Sequence, residues 1–226
     1  GCITMTALHA ACRGGHAGIA SLLLGAGAEI NQSIGKRWTP LHIACENGHT
    51  LVVALLLRHE RIDVSRAREG SGMTPLYMAC QNGHHEVVDL LLRYDGIDVN
   101  GARKDGSTPL YVACQIGHQG VVELLLRHDD IDVSRAHEGG ATPLYMACQN
   151  GHREVVELLL RHERIDVNQA FEDSATPLHI ACQEGHREVV ELLLRHEGLD
   201  VNRARKNGAT PLYIACQEGH REVVEL

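Results

Sequence analysis

The sequence predicts an all-α fold built as a stacked array of two-helix units. Three observations predict it. The tripeptide TPL begins at Thr39, Thr74, Thr108, Thr142, Thr176 and Thr210, at intervals of 35, 34, 34, 34 and 34 residues, and a weaker TAL begins at Thr6, 33 residues before Thr39. A fixed period in this range marks a stack of units, each touching only its neighbours. Each period divides into two helix-like stretches separated by a Gly-His pair. Finally, the second stretch carries too broad an apolar surface for one helix pair to bury alone.

The copy at 142–175 shows each element in order. Thr142 suits an N-cap, because its hydroxyl can accept an otherwise unpaired backbone N–H. Pro143 fits the first helical position, where its missing N–H costs nothing. LYMACQN then gives two turns of helix, and Gly151 ends it in the left-handed conformation. HREVVELLLRHE, residues 152–163, reads as the second helix. Its Glu157 and Arg161 form an i,i+4 pair in the favourable order, and a charged His162 near the helix end would suit the dipole. Val155, Val156, Leu158, Leu159 and Leu160 form the broad apolar surface. RIDVNQAFEDSA is a connector with one β-like patch and several turn residues. The same pattern places helices over about half of the chain, in a single array over 1–226 with units starting near 6, 39, 74, 108, 142, 176 and 210, the last one truncated.

The totals narrow the function classes. Apolar residues make up 44% of the 226, enough for an ordered core, and with aromatics at 3% that core must be Leu, Val, Ile and Ala. Net charge is −8 with no run of like charges, which argues against a nucleic-acid binder. No apolar run approaches the roughly 20 residues that span a bilayer, and the first residues do not form a signal peptide. The chain starts without Met and stops in mid-pattern at REVVEL, so we expect a monomeric segment of a longer protein.

The stretch TPLHIACQEGHREVVELLLRHEGLDVN, residues 176–202, resembles an ankyrin repeat. The shared pattern is T-P-L-H, small residues, G-H, a V-V/L-L-L helix, then D-V-N. Seven copies in register extend the resemblance over essentially the whole chain. It implies a curved solenoid of antiparallel helix pairs with hairpin-like loops projecting to one side, and partner proteins bound by loop tips and first helices. Some positions depart from the family. Most copies have 34 residues rather than 33, the extra one lying between the second helix and D-V-N. Tyr77, Tyr111, Tyr145 and Tyr213 stand where His9, His42 and His179 carry the family His, which braces the loop by hydrogen bonding. Ser65 and Ser134 replace the motif Asn found at Asn31, Asn100, Asn168 and Asn202. Some family members are hydroxylated at that Asn, which makes it a candidate modification site.

Cys and His recur at i,i+4: Cys12/His16, Cys45/His49, Cys80/His84, Cys114/His118, Cys148/His152, Cys182/His186 and Cys216/His220. Zinc needs four converging ligands. Here Gly separates each pair, and equivalent residues of stacked repeats lie about 8–10 Å apart, the packing distance of helices. That spacing also excludes disulfides among them, whose Cα atoms lie about 4.4–6.8 Å apart; only Cys2 is out of series. The Cys therefore read as small core residues and the His as helix starters. Free buried thiols fit a reducing, intracellular and cytoplasmic setting. No nucleophile elbow, phosphate loop or H-E-x-x-H occurs, so no catalytic, cofactor or metal residues are assigned.

Function should lie where the copies differ. The residue before each TPL Thr is Trp38, Met73, Ser107, Ala141, Ala175 or Ala209. Three residues after the motif Asn or Ser come Ile34, Arg68, Arg103, His137, Phe171 and Arg205. The end of the first helix varies through Gln81/Asn82, Gln115/Ile116 and Gln149/Asn150. We therefore expect a non-catalytic scaffold that binds a partner protein through Trp38, Arg68, Met73, Gln81, Asn82, Arg103, Gln115, Ile116, Gln149, Asn150, Phe171 and Arg205. Trp38 is the sole Trp and sits at a loop tip, and Trp is enriched at binding hot spots. Arginine forks suit carboxylates. The bland readings are that Trp38 folds back as a cap on the first repeat, that the arginines are solvated, and that Phe171 packs beneath its own loop. The alternative function is a cytoplasmic ankyrin segment of a channel, kinase or ligase adaptor that spaces or assembles a larger machine.

Overall fold

The computed structural model describes residues 5–226; Cys2 lies outside them. Thr6, Thr39, Thr74, Thr142, Thr176 and Thr210 sit in extended backbone, and each hydroxyl accepts the amide of the third helical residue. This satisfies one of the orphan donors of a helix start. Fourteen α-helices follow one another among the described residues, and no strand is present there.

The chain divides into two units, 1–109 and 110–226. The first holds α1 (Ala7–Arg13), α2 (Ala17–Gly25), α3 (Pro40–Glu46), α4 (Thr50–Leu57), α5 (Pro75–Gln81) and α6 (His85–Leu92). Within it α1, α3 and α5 pack side by side, as do α2, α4 and α6, and each odd helix packs on the even one after it. In the second unit lie α7 (Pro109–Ile116), α8 (Gln119–Leu126), α9 (Pro143–Gln149), α10 (Arg153–Leu160), α11 (Pro177–Gln183), α12 (Arg187–Leu194), α13 (Pro211–Glu218) and α14 (Arg221–Val224). There α9, α11 and α13 form one row, and α8, α10, α12 and α14 the other.

The apolar surface of the second helices is consumed in this stacking. Val87, Val88 and Leu91 of α6 are fully covered, as are Val155, Val156 and Leu159 of α10. The leucines after each TPL proline, Leu41, Leu76, Leu110 and Leu144, are equally enclosed. Each buried Leu is worth roughly 1.5–3 kcal/mol, so the core is distributed along the stack. Cys12, Cys45, Cys80, Cys114 and Cys148 sit at the tight contacts between first helices with at most trace exposure. Burial pushes the Cys12 and Cys182 thiols up to about 12, which keeps them protonated and inert. Cys216, in the last row position, is exposed.

Two expectations are corrected. The second helix is shorter than the sequence suggests: α10 stops at Leu160 with Arg161 as its C-cap, so His162 lies beyond it. There the His162 amide donates to the Leu159 carbonyl, and its Nδ1 accepts the Arg164 amide at 3.3 Å. Burial, with the adjacent Arg164, lowers its pKa. It is a turn-former using a ring lone pair, not a cation at the helix end. The β-like patch is also not a strand. In Asp-Val-Asn the Asp166 carboxylate accepts the Asn168 amide at 2.9 Å, the local turn that Asp favours. The one isolated β-bridge among the described residues joins Ile34 and Trp38.

Candidate partner-binding loops

Each loop closes on itself as a hairpin. In the first unit the Arg68 amide donates to the Met73 carbonyl at 2.9 Å and Arg103 to Ser107 at 2.9 Å. In the second, His137 donates to Ala141 at 3.1 Å, Phe171 to Ala175 at 2.8 Å and Arg205 to Ala209 at 2.9 Å. Neighbouring hairpins are tied edge to edge: Glu69 N–H to the Lys36 carbonyl at 3.2 Å, Lys104 to Ser71 at 2.9 Å, and Lys206 to Asp173 at 3.1 Å. Within each unit the tied loops therefore present their variable side chains next to one another.

The family His braces these hairpins. In α3, His42 Nδ1 accepts the Thr39 amide at 3.3 Å and lies 2.8 Å from the Thr39 hydroxyl. With Nδ1 an acceptor, the ring proton sits on Nε2. Nε2 donates to the Met73 carbonyl of the next hairpin at 3.3 Å. His9 reaches the Trp38 carbonyl at 3.1 Å and His179 the Ala209 carbonyl at 3.2 Å in the same way. Burial pulls His42 down to about 4, so the neutral ring is the native form. Where Tyr replaces His, the brace changes. Tyr77 hydrogen-bonds the Arg103 side chain instead of a loop carbonyl, which raises the Arg103 pKa.

The variable loop column packs back, in most copies on the first helix of its own repeat. The Arg68 guanidinium lies 3.8 Å from the centroid of the Trp38 ring, a cation–π stack. Arg103 lies 5.9 Å over Tyr77 and pairs with Asp105 at 3.4 Å. His137 stacks on Tyr111 with centroids 5.2 Å apart, and Phe171 tilts over Tyr145 at 5.1 Å. Arg205 donates to Gln183 Oε1 at 3.1 Å. Phe171 thus packs beneath its own loop, on Tyr145 of the first helix of the same copy, and the arginines are stacked and paired rather than simply solvated. The Nε atoms of Arg68, Arg103 and Arg205 are nevertheless buried without a hydrogen-bond partner among the described residues.

On the first helices the picture is mixed. Asn82 and Asn150 are exposed, but each amide folds back on its own helix, to Met78 at 2.8 Å and Met146 at 2.9 Å. Gln81 and Gln149 are half-buried, and Gln115 is exposed. The carbonyls of Gln115 and Gln149 accept from His152 and His186, the Gly-His histidines of the next repeat. Ile116 is 43% exposed, an apolar side chain where other copies carry Asn or Glu.

Trp38 borders a cleft of about 410 Å³ lined with Met5, Arg13, Ile34, Ile43, Glu46 and Asn47. Met5 and the cations Lys36, Arg37 and Arg66 around these loops are absent from the residue set expected from the sequence. Summing charge loop by loop, rather than along the whole chain, would have found the cations. Among the described residues no three His, Cys, Asp or Glu side chains converge as metal ligands, and no helix is long and apolar enough to cross a membrane.

The sequence profile for ankyrin repeats matches residues 8–103, 97–171 and 166–226. The chain belongs to the ankyrin repeat family. Its fold is similar to the crystal structure of the human ASB11 ankyrin repeat domain, with a TM-score of 0.80 and 28% identity over 98% of this chain and 97% of that one. A search of curated proteins gives no match in sequence. Ankyrin repeats are generally protein–protein interaction modules, and the fold is typically a non-catalytic scaffold. The all-α stack predicted by the TPL period, and the ankyrin solenoid that the resemblance implied, are therefore the class of this chain.

Proposed function

We propose that this chain is a non-catalytic scaffold, one ankyrin array over 1–226, that holds a partner protein against its loop hairpins and first helices. The observation that carries this reading is the contrast between framework and loops. Cys, His, Gly and Thr recur in equivalent places and are used up in caps, braces and helix contacts. Of the side chains that differ from copy to copy, Trp38, Met73, Arg68, Arg103, His137, Phe171 and Arg205 are half-buried on the hairpins, with Trp38 beside a cleft, whereas Ser107, Ala141 and Ala175 are buried. Residues copied once per repeat are framework rather than a catalytic centre. The seven described cysteines are free, and six are buried, which supports a reducing, cytoplasmic setting.

The test is affinity capture with the intact chain, identification of the captured protein, and measurement of its affinity for Trp38→Ala. A loss of at least about 1 kcal/mol with unchanged helicity is expected, as for an interfacial Trp. An unchanged affinity removes Trp38 from the interface, and unchanged affinity for a matching set of Met73, Arg103 and Ile116 variants rejects the loop face altogether.

A further inference from the structure

The chain carries a net charge of −8, yet the three hairpins of the first unit are basic. Residues 31–38, 65–73 and 100–107 hold six cations, Lys36, Arg37, Arg66, Arg68, Arg103 and Lys104, against two carboxylates, Glu69 and Asp105. The remaining chain is correspondingly more acidic. The hairpin at 168–175, by contrast, holds Glu172 and Asp173 and no cation. Basic character is therefore concentrated in particular hairpins.

These basic hairpins are joined in one row. Glu69 N–H bonds to Lys36 and Lys104 N–H to Ser71, so the tips stand side by side. Their arginines are held in place. Arg68 is stacked on Trp38, and Arg103 lies over Tyr77. A guanidinium so fixed loses little further freedom when it takes up a carboxylate. Arg68 forms no close ion pair among the described residues, although Glu46 acts on it from a distance, and the one ion-pair partner of Arg103 there is the half-exposed Asp105 at 3.4 Å, beside its contact with Tyr77. Next to Arg68 lies the Trp38 cleft, whose walls include Ile34, Ile43 and Met5. A cation row beside an apolar cleft calls for an anionic chain with an apolar residue among its charges.

We infer that the hairpin row of the first unit binds an acidic peptide segment of a partner protein, with Asp or Glu carboxylates on Arg68 and Arg103 and one large apolar side chain in the Trp38 cleft. This rests on the loop-face reading of the function and deepens it. A peptide fits better than a nucleic acid, because the cleft wants an aliphatic side chain set between anionic groups, which a peptide supplies and a nucleic acid does not. The hairpin at 202–209 is also basic, with Arg203, Arg205 and Lys206, but Arg205 is already engaged by Gln183 and, among the described residues, is stacked on no aromatic ring.

The test uses the full chain and a fluorescein-labelled twelve-residue peptide of Glu and Asp around a central Leu-Phe, followed by anisotropy. Controls are the same peptide with Lys for every acid, the acidic peptide with Ser for Leu-Phe, and a single-stranded oligothymidylate of equal charge. Binding is expected for the acidic, Leu-Phe peptide alone, with affinity falling about tenfold or more between low and high salt. Arg68→Gln and Arg103→Gln should each weaken it about fivefold, Arg68→Lys less, and Arg205→Gln not at all. Circular dichroism confirms that each variant is folded. The peptide contains no Trp, so quenching or a shift of the sole Trp38 emission reports the cleft directly. Tighter binding of the oligothymidylate, equal binding of the Ser peptide, loss on Arg205→Gln alone, or no binding of the acidic peptide each overturns the inference. A random-peptide display selection separates the two levels: neutral or basic peptides that need Trp38 would sink the acidic assignment and leave the loop face standing. Display that yields no peptide dependent on Trp38, Met73 or Ile116 would count against both.

Discussion

The imidazole of His186 lies directly against Gly151: a Cβ built on that glycine would stand 2.7 Å from His186 Nδ1. The same meeting occurs between Gly48 and His84, Gly117 and His152, and Gly185 and His220. From there His186 Nε2 reaches the Gln149 carbonyl at 3.0 Å, satisfying an open group at the end of α9. Gly151 also has a φ of 71°, where a side chain is strained. Gly151→Ala should therefore destabilise the second unit by more than about 2 kcal/mol, combining left-handed strain with overpacking. Gly219 has a similar φ of 78° but open space at its Cβ. Gly219→Ala should cost only the strain, about 1 kcal/mol. Urea denaturation of the two variants measures the difference, and equal midpoints would show that the His contact contributes nothing.

His42 makes the stability depend on pH. Folded, it resists protonation down to about 4, whereas the unfolded side chain titrates near 6.5. Between those values the unfolded chain binds the extra proton, so stability is complete above about pH 6.5 and falls as the pH drops towards 4. The full loss is on the order of 3 kcal/mol for this one residue. His9 and His179, lowered for the same reason of burial, act in the same direction. Denaturant midpoints at pH 7 and pH 4.5 should show the drop. In His42→Tyr, the residue other copies use there, the drop should be smaller. An identical drop in the variant would assign the acid sensitivity elsewhere.

How much of this was legible in the sequence follows from what sets each feature. Caps, helix starts and the Gly-His junction depend on local chemistry repeated in every copy, so the TPL period exposed them. The end of α10 was misread because ELLLRHE is helical in composition, while the competing turn at His162 depends on a ring nitrogen accepting a backbone amide two residues on. The pairing of Arg68 with Trp38 joins residues of different hairpins. It depends on the offset between stacked repeats, which no pattern within one repeat encodes. Phe171 has its partner, Tyr145, within its own copy, but the contact forms only because the hairpin folds back over the first helix, which residue spacing along the chain does not reveal. The charge of the first three hairpins was readable, but an average over an acidic chain hid it.

The motif Asn ties one repeat to the next, and its absence from that role is informative at the last copy. Asn31 Nδ2 donates to the Arg61 carbonyl at 2.6 Å, and its Oδ1 accepts the Asp63 amide at 3.0 Å. Asn168 does the same with Gly198 and Asp200. Ser65 manages only the acceptor half, from the Asp98 amide. The Asn202 side chain is exposed and makes no such bridge among the described residues. Asn31→Ala should cost about 1–3 kcal/mol by leaving two backbone groups short of partners. Asn202→Ala should stay within about 0.5 kcal/mol. Asn31→Ser should recover part of the loss, as Ser65 does naturally. Thermal unfolding of the three variants provides the comparison, and a cost at Asn202 equal to that at Asn31 would refute the bridging role.

One hairpin is built against its own backbone preference. Asp173 and Ser174 have φ values of 61° and 64°, both left-handed. In the hairpin before it the residue equivalent to Ser174 is Gly140, at φ 90°, and in the one after it Gly208, at φ 86°. A non-glycine residue there costs roughly 1–2 kcal/mol relative to its preferred region, while glycine loses about 0.4–1 kcal/mol of that advantage through its freer unfolded chain. Ser174→Gly should therefore stabilise the second unit by a few tenths of a kcal/mol up to about 1 kcal/mol, seen as a raised urea midpoint with unchanged slope. Loop strain of this kind collects where a side chain is wanted for contact rather than for folding. If the variant is more stable and also binds the partner less well, the strained Glu172–Ser174 tip belongs to the interface. A lowered midpoint would mean that the Ser174 side chain supports the fold in a way its φ does not reveal.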